Sequence, residues 1–268
     1  MKTLIVPFSR LDEEQRWDID YHLPSLLVRE FPEECLVRVD EVAEIVRRDT
    51  RNPQDAPDVE FQYIDISSVD VVEGVIRDVK VMQGADAPSR ARKVVRAFDI
   101  LVSTVRPTRG AVAVVPVGLH NQIASTGYSV VRSFKGVNPY FLHFVLRLPS
   151  TREQFRKWST GSSYPAILDE DVAKTLIPVP DVALQDEIAD ALFAASAKRQ
   201  RIILDADSEY QNKVAELASR LAPDGLLFDE EMKVGGSATA SFDHVFWDGV
   251  PSISSIDACR EAIICSGF

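Results

Sequence analysis

Ile177-Pro178-Val179-Pro180 leads into a segment, from Asp181 to Ala222, that contains neither glycine nor proline. Asp181 is a suitable N-cap, because its side-chain oxygen can accept a hydrogen bond from the free N–H groups of a first helical turn. Apolar residues then recur mostly at intervals of three and four, interrupted by charged residues near the middle. One helix over this segment would extend roughly 60 Å at about 1.5 Å per residue. We expect it to need a partner helix, in this chain or another, because it cannot bury its apolar stripe alone.

The chain before this junction has the pattern of a β-rich domain. The segment from Phe61 to Ile66 alternates apolar and polar residues, and residues 69–75 are rich in valine. Two further apolar runs, residues 99–105 and 111–117, flank the turn Arg106-Pro107-Thr108-Arg109-Gly110, which would present two guanidinium groups. The predicted fold class is therefore α+β, with a β-rich domain followed by a long α-helix able to form an antiparallel coiled coil.

Helix signals lie on both sides of this β-rich part. Residues 17–30 have helical potential that ends at Phe31-Pro32, since the residue before proline disfavours the helical region. Asn138-Pro139 has the form of an N-cap followed by proline at the first helical position, and a second helix is predicted over residues 151–158. These signals divide the chain into four parts: an N-terminal arm (1–35), a β-rich domain (36–180), a long helix (181–222) and an acidic C-terminal tail without an assigned role (223–268).

Charge is distributed unevenly along the chain. The whole sequence has a formal net charge of −11, yet residues 87–164 contain twelve Lys and Arg against only Asp99 and Glu153. Residues 100–151 contain no carboxylate. Such a segment suits a polyanion, because each Lys or Arg placed at a phosphate releases condensed counterions. The alternative is a basic patch that pairs with the acidic remainder of the same chain.

The composition excludes several classes of protein. With 268 residues, of which 46% are hydrophobic, the chain can bury the core of one or two domains and is not generally disordered. It has no apolar run of about 18 residues and no secretory signal, so we expect a cytoplasmic location and no membrane partner. Its three cysteines, Cys35, Cys259 and Cys265, are scattered and form neither a disulfide framework nor a zinc knuckle.

Three patterns suggest catalysis, and each has a plainer interpretation. Asp58, Asp78 and Lys80 follow the order of a PD-(D/E)xK nuclease, in which two carboxylates hold Mg²⁺, but such residues recur by chance in a chain with 41 carboxylates. Asn138-Pro139-Tyr140-Phe141 is similar to the loop with which adenine methyltransferases hold a flipped base, but no glycine-rich cofactor motif accompanies it. The four histidines lack ligand spacing. We therefore predict no catalytic residue, no metal site and no cofactor.

The remaining candidates are side chains suited to binding DNA. Arginine and lysine can reach phosphates or guanine edges, amides can pair with adenine, and hydroxyl groups can donate to phosphates. The candidate DNA-binding residues are Arg90, Arg92, Lys93, Arg106, Thr108, Arg109, Asn121, Gln122, Lys157, Ser162, Ser163 and Tyr164. Two of them have plainer alternatives, since Arg109 could hydrogen-bond across its own turn and Asn121 could be a turn residue.

Several motifs, in the same order along the chain, are shared with a known family. They are Arg16-Trp17-Asp18-Ile19-Asp20-Tyr21, Phe61-Gln62-Tyr63-Ile64-Asp65-Ile66-Ser67, Val95-Arg96-Ala97-Phe98-Asp99-Ile100-Leu101-Val102-Ser103, Tyr140-Phe141-Leu142-His143-Phe144 with Thr160-Gly161-Ser162-Ser163-Tyr164-Pro165-Ala166-Ile167, and the opening junction with Leu184-Gln185-Asp186-Glu187-Ile188-Ala189. Over roughly residues 16–221 the chain resembles one half of the specificity (S) subunits of type I restriction-modification systems. It departs from the family at Phe98, where glycine is usual, and at the junction, which lacks one proline and the usual acid before the glutamine.

The resemblance implies a protein without catalytic activity of its own. Residues 36–180 would be a target recognition domain that reads one half of a double-stranded DNA target. The long helix would be a spacer that docks a DNA methyltransferase (modification) subunit, to which a restriction subunit can attach. A standard subunit has two such domains and two such helices, whereas this chain has room for one of each. We therefore expect a homodimer with antiparallel helices.

Two alternatives from other classes stay open at this point. One is a Mg²⁺-dependent nuclease that uses Asp58, Asp78 and Lys80. The other is a protein-interaction module, in which a former recognition domain has lost DNA and binds another protein. Incubation of the protein with plasmid DNA and Mg²⁺ would separate the nuclease from a specificity subunit, which should leave the DNA intact. Salt-dependent binding to DNA would separate the protein-interaction module from a specificity subunit.

Overall fold

The computed structural model describes residues 5, 7–14, 16–17, 19–22, 27–161 and 163–221 of the 268-residue chain. These residues belong to two compact units, one ending at Asp186 and the other beginning at Glu187. The boundary falls near the start of the long helix, Val182–Leu221.

Short strands and a few helices make up most of the first unit. The strands of the described residues are β1 (Leu36–Arg38), β2 (Glu44–Val46), β3 (Glu60–Ile64), β4 (Val69–Asp70), β5 (Val75–Ile76), β6 (Lys80–Gln83), β7 (Ala91–Val94), β8 (Ile100–Ser103), β9 (Val112–Val114), β10 (Ile123–Ser125), β11 (Tyr128–Arg132) and β12 (Leu176–Pro178). The α-helices are α1 (Phe8–Glu14), α2 (Ile19–His22), α3 (Val39–Val42), α4 (Pro139–Leu146), α5 (Pro149–Trp158), α6 (Asp169–Ala173) and α7 (Val182–Leu221).

Two four-stranded sheets form the body of the first unit. One has the strand order β6-β3-β10-β7 and the other has the order β2-β11-β8-β9. All pairs in them are antiparallel except β10 with β3, which are parallel. β10 and β11 follow each other in the chain but belong to different sheets, so the chain passes from one sheet to the other at Thr126-Gly127.

The two sheets share an apolar core. Side chains from both of them pack together there, including those of Ile64, Leu101, Ala124 and Tyr128. Tyr128 is fully buried, and its hydroxyl donates a hydrogen bond to the carbonyl oxygen of Asp65 at 2.8 Å. Burial raises the pKa of this phenol far above its usual value, so that it stays a neutral donor. Apolar side chains facing each other across two sheets explain the alternating pattern of the sequence.

Most predicted elements are present close to their predicted bounds, and the α+β fold class is confirmed. Strands β3, β8 and β9 occupy the apolar runs that were expected to be strands. The side-chain oxygen of Asn138 accepts hydrogen bonds from the N–H groups of Tyr140 and Phe141 at 2.9 and 3.4 Å, with Pro139 at the first helical position. The motif shared with methyltransferases is therefore a helix cap, as favoured above.

One prediction of secondary structure is wrong. The valine-rich run at residues 69–75 contains the turn of the β4-β5 hairpin, because Asp70 accepts hydrogen bonds from the N–H groups of Val72 and Glu73 while Gly74 takes a φ of 72°. Of the helix predicted within residues 17–30, the described residues contain α2 and a 3-10 helix at Leu27–Glu30, and residues 18 and 23–26 lie outside the described residues.

The long-helix prediction is confirmed by α7, which has 40 residues. The N–H group of Leu184 donates to a carboxylate oxygen of Asp181 at 3.1 Å, as expected for an N-cap. The predicted last residue, Ala222, and the acidic tail lie outside the described residues. Large apolar side chains of α7 are exposed along much of its length, among them Ile202, Tyr210 and Leu217.

Candidate nucleic-acid interface

The predicted arginine turn connects β8 to β9 and has a fixed backbone. Arg106 and Gly110, at its two ends, take left-handed conformations with φ of 49° and 75°. The N–H group of Arg109 donates to the carbonyl oxygen of Arg106, and that of Gly110 to Pro107, both at 3.0 Å. Pro107 is buried, whereas Thr108 and Arg109 are exposed. The bond across the turn is thus made by the backbone of Arg109, while its side chain faces solvent.

The loop after α5 lies directly against this turn. Thr160 and Ala166 close the loop by pairing with each other, and the N–H group of Arg106 donates to the carbonyl oxygen of Pro165 at 2.7 Å. The guanidinium of Arg106 lies 4.6 Å from the centre of the Tyr164 ring. This cation–π contact holds a ring that remains 69% exposed. The turn and the loop therefore present one continuous set of polar and aromatic side chains.

Arg90 is linked through backbone hydrogen bonds to the strand that leads into the same turn. Its carbonyl oxygen accepts a hydrogen bond from the N–H group of Thr126, at the crossing between the two sheets. The next residue, Gly127, accepts bonds from both the N–H and the hydroxyl of Thr104, two residues before Arg106. The name tip surface is used below for the side chains of Arg90, Arg106, Thr108, Arg109, Ser163 and Tyr164, of which all but Arg106 are exposed.

Asn121 and Gln122 lie at the opposite end of β10 from Thr126. Asn121 is a turn residue with a φ of 61°, as its alternative interpretation stated, and its carbonyl oxygen accepts a hydrogen bond from Arg51 at 2.8 Å. The side-chain oxygen of Gln122 accepts a hydrogen bond from the N–H group of Gln62 at 2.9 Å. This bond links β3 to the residue before β10. The structure therefore separates these amides from the tip surface, and their contact with DNA stays a prediction.

At this opposite end, arginine side chains are neutralised within the protein. Arg132 is buried and donates to Asp99 at 2.8 Å and to Asp49 at 2.6 Å, and Arg96 also pairs with Asp49 at 3.1 Å. Burial alone would lower the pKa of Arg132, but hydrogen bonds and the charges of both carboxylates raise it above its ordinary value. The net charge of residues 87–164 therefore overstates what they present to solvent.

Two further candidates have side chains engaged in internal contacts. Lys93 is 13% exposed, with its ammonium 3.4 Å from Asp169. Arg92 donates to the carbonyl oxygen of Ala91 at 2.8 Å. Ser162, the third hydroxyl candidate of the loop, lies outside the described residues. DNA contacts by these three residues stay predictions.

Lys157 belongs to a cluster that joins the start of the chain to the end of α5. Its ammonium lies 5.7 Å from the ring centre of Tyr21. Arg16 lies 4.5 Å from the same ring and donates to the carbonyl oxygens of Trp158 and Ser159 at 3.3 and 3.2 Å. A cation at the carboxyl end of a helix is stabilising, so the motif that begins with Arg16 has a structural role beside the loop.

The three residues of the nuclease pattern do not meet. β3 and β6 are antiparallel with Tyr63 opposite Lys80. Asp78 is close to Lys80 in sequence, but Asp58 precedes Tyr63 by five residues in the β3 direction, a distance of roughly 15 Å. No group of three or more metal-ligating side chains occurs within the described residues. A shared Mg²⁺ site is therefore not supported.

Gln185 is a buried residue whose role the sequence did not reveal. Its side-chain oxygen accepts the N–H group of Asn138 at 2.9 Å, and its amide donates to the carbonyl oxygen of Pro180 at 2.8 Å. The amide of Asn138 donates in turn to Asp186 at 2.7 Å. The glutamine of the family-like junction thus joins the cap of α4 to the first turn of α7. Its position within that motif was the only available signal.

Comparisons with known proteins agree with this geometry. No family model matches the sequence. The type I restriction enzyme HindI specificity subunit of Haemophilus influenzae is 29% identical over 130 residues, which are 47% of this chain and 28% of the relative. The crystal structure of the HsdS subunit from Thermoanaerobacter tengcongensis is similar with a TM-score of 0.54 and 36% identity, covering 68% of this chain and 46% of that subunit. A chain from a structure of a type I R-M system gives a TM-score of 0.56 and 36% identity, covering 72% and 50%.

This chain is similar in sequence and fold to type I restriction-modification specificity subunits. The resemblance expected from the motifs is therefore confirmed. This chain matches about half the length of the two solved chains. It matches 28% of the length of the HindI subunit. In the part of the chain that the structure describes, none of the helices has the length and apolar character needed to cross a bilayer.

Proposed function

We propose that this chain is the sequence-specific DNA-recognition module of a type I-like restriction-modification or related defence system. It directs a DNA methyltransferase subunit to its target in the cytoplasm and has no catalytic activity of its own. The relationship to specificity subunits supports this role. The double-stranded DNA lies on the tip surface.

The observation that carries the proposal is the fixed arrangement of the tip surface. Arg106 and Tyr164 hold each other at 4.6 Å, and Arg109 faces solvent on a turn whose two ends are both in left-handed conformations. Phosphate contacts orient a duplex and base contacts select its sequence, and both need donors that are held in place before binding. An exposed aromatic ring that stacks on the partly buried Arg106, on a loop packed against a turn with an exposed arginine, is suited to nucleic acid and has no structural role in the core.

The partners of the proposed complex follow from α7. Its exposed side chains Ile202, Tyr210, Val214 and Leu217 need a cover, which a second copy of the chain can provide as an antiparallel coiled coil. The same helix is the proposed docking element for the methyltransferase subunit, to which a restriction subunit can attach. Light scattering of the purified chain at micromolar concentration should give the mass of a dimer, and a strict monomer would contradict the homodimer.

Binding of the purified chain to duplex DNA tests the proposed function. We expect fluorescence anisotropy to show binding that weakens by a factor of ten or more between about 50 and 200 mM salt, because bound phosphates release counterions. Plasmid DNA incubated with the chain and Mg²⁺ should stay intact. Cleavage of the plasmid would favour the nuclease, and a chain that binds no duplex at low salt would favour a protein-interaction module.

A further inference from the structure

The two arginines of the tip turn have different environments. Arg106 is partly buried, its backbone is bonded to the loop at Pro165, and its guanidinium is stacked on Tyr164. Arg109, three residues later, is exposed. We infer that Arg109 reads a guanine in the major groove, whereas Arg106 and Tyr164 hold the sugar-phosphate backbone. This inference rests on the proposed function and assigns one base contact within it.

The turn is suited to deliver a base-reading side chain. Hydrogen bonds at 3.0 Å close it on itself, the buried Pro107 anchors it, and the N–H group of Val112 donates back to Gly110 at 2.9 Å. A base-reading side chain on a rigid turn loses only its own rotamer freedom when it binds. This favours sequence-selective binding over non-specific electrostatic binding. Thr108, which is also exposed, can donate its hydroxyl to a neighbouring phosphate.

Guanine is the base that fits this side chain. Arginine donates two parallel hydrogen bonds to the O6 and N7 atoms of guanine, an arrangement that no other base offers in the major groove. Among the residues that the structure describes, no carboxylate forms an ion pair with Arg109. The acid of the helix packed against the turn, Glu153 of α5, accepts the N–H group of Leu27 at 3.1 Å, and residues 100–151 contain none.

Selection of binding sites from a pool of duplexes with a randomised segment tests the inference. The full-length chain should select a motif that contains an invariant guanine. We expect Arg109→Lys, which keeps the charge but loses the paired donors, to reduce the preference for guanine at one position by about ten- to a hundredfold and to leave the other positions unchanged. Arg109→Gln should shift the preference at that position toward adenine. Arg106→Ala should weaken binding to all sequences alike.

The outcomes separate the inference from the proposed function. An unchanged motif for Arg109→Lys would overturn the inference, and so would an equal loss of affinity on all sequences, because Arg109 would then contact only phosphate. In both cases the chain would still bind DNA, and the proposed function would stand. If the unsubstituted chain selects no motif, the proposed function fails. A thermal unfolding curve for each variant, with exposed Arg48→Ala as the matched control, confirms that the fold is retained.

Discussion

The tip surface and the opposite end of the same two sheets both contain arginines, but they use them differently. At the tip, Arg106 stacks on Tyr164 and Arg109 is exposed. At the opposite end, Arg132 is buried between Asp99 and Asp49. What differs is whether the fold brings a carboxylate to the guanidinium. A basic segment can thus contain both a structural ion pair and a surface for a polyanion.

The largest expected effect on stability comes from breaking the buried ion pair between Arg132 and Asp99. In Arg132→Met, the fully buried carboxylate of Asp99 loses its charged partner, which should reduce the free energy of unfolding by about 3–5 kcal/mol. Urea unfolding measures the loss. The double variant Arg132→Met/Asp99→Asn removes the stranded charge and should recover part of the stability. A single variant as stable as the unsubstituted chain would show that the pair is not structural.

Substitution of Phe98, at the same end of the sheets, tests whether its backbone conformation is strained. It takes a φ of 67°, in the left-handed region that favours glycine, and its ring is buried against Tyr140. Phe98→Ala should cost about 3 kcal/mol, because it removes the buried ring and does not relieve the left-handed backbone. Phe98→Gly should be more stable than Phe98→Ala by roughly 0.5–1 kcal/mol, since glycine tolerates this φ. If thermal unfolding shows Phe98→Ala to be more stable than Phe98→Gly, the backbone at this position is not strained.

A smaller effect is expected from acid, in the layer behind the tip turn. His143 of α4 donates to the carbonyl oxygen of Val112 at 3.2 Å, and burial, helped by the charge of Arg147, lowers its pKa to about 4. The unfolded chain, with a histidine pKa near 6.5, takes up this proton first as the pH falls. The stabilisation is complete above about pH 6.5 and should decline by roughly 1–2 kcal/mol toward pH 5.

Urea unfolding at several pH values measures this decline. His143→Gln lacks the titrating group and should give a flatter dependence of stability on pH between 5 and 7. Equal slopes for the two proteins would assign the acid sensitivity to other groups, such as His120, whose pKa is lowered by burial and by Arg96.

The smallest effect is expected at the tip itself. Arg109→Ala removes an exposed side chain and should change the free energy of unfolding by no more than about 0.5 kcal/mol. The same type of residue would then differ in its contribution to stability by several kcal/mol between the two ends. A loss above about 2 kcal/mol on chemical denaturation would show that Arg109 is a structural residue.

Local signals explain which features could be predicted from the sequence. The N-caps at Asn138 and Asp181, the length of α7 and the turn at Arg106 depend on neighbouring residues, and all are present. The hairpin in residues 69–75 was missed because a run of valines masks the turn set by Asp70 and Gly74.

The sequence could not predict which arginines are buried in ion pairs and which are exposed to solvent. Asp99 and Asp49 are 33 and 83 residues away from Arg132 in sequence, so only the packed sheets bring them together. The same holds for the stack of Arg106 on Tyr164 and for the separation of Asn121 and Gln122 from the tip surface. Composition located the basic segment, and the sheets decide which of its charges reach solvent.

The most direct test compares two double variants that remove the same charge from different places. Arg106→Ala/Arg109→Ala alters the tip surface, whereas Arg47→Ala/Arg48→Ala removes two exposed arginines elsewhere. Affinity for duplex DNA, measured across a salt series, should fall about ten- to a hundredfold in the tip variant, with a shallower salt dependence, and should change little in the control. Equal losses in the two variants would contradict a DNA site on the tip surface.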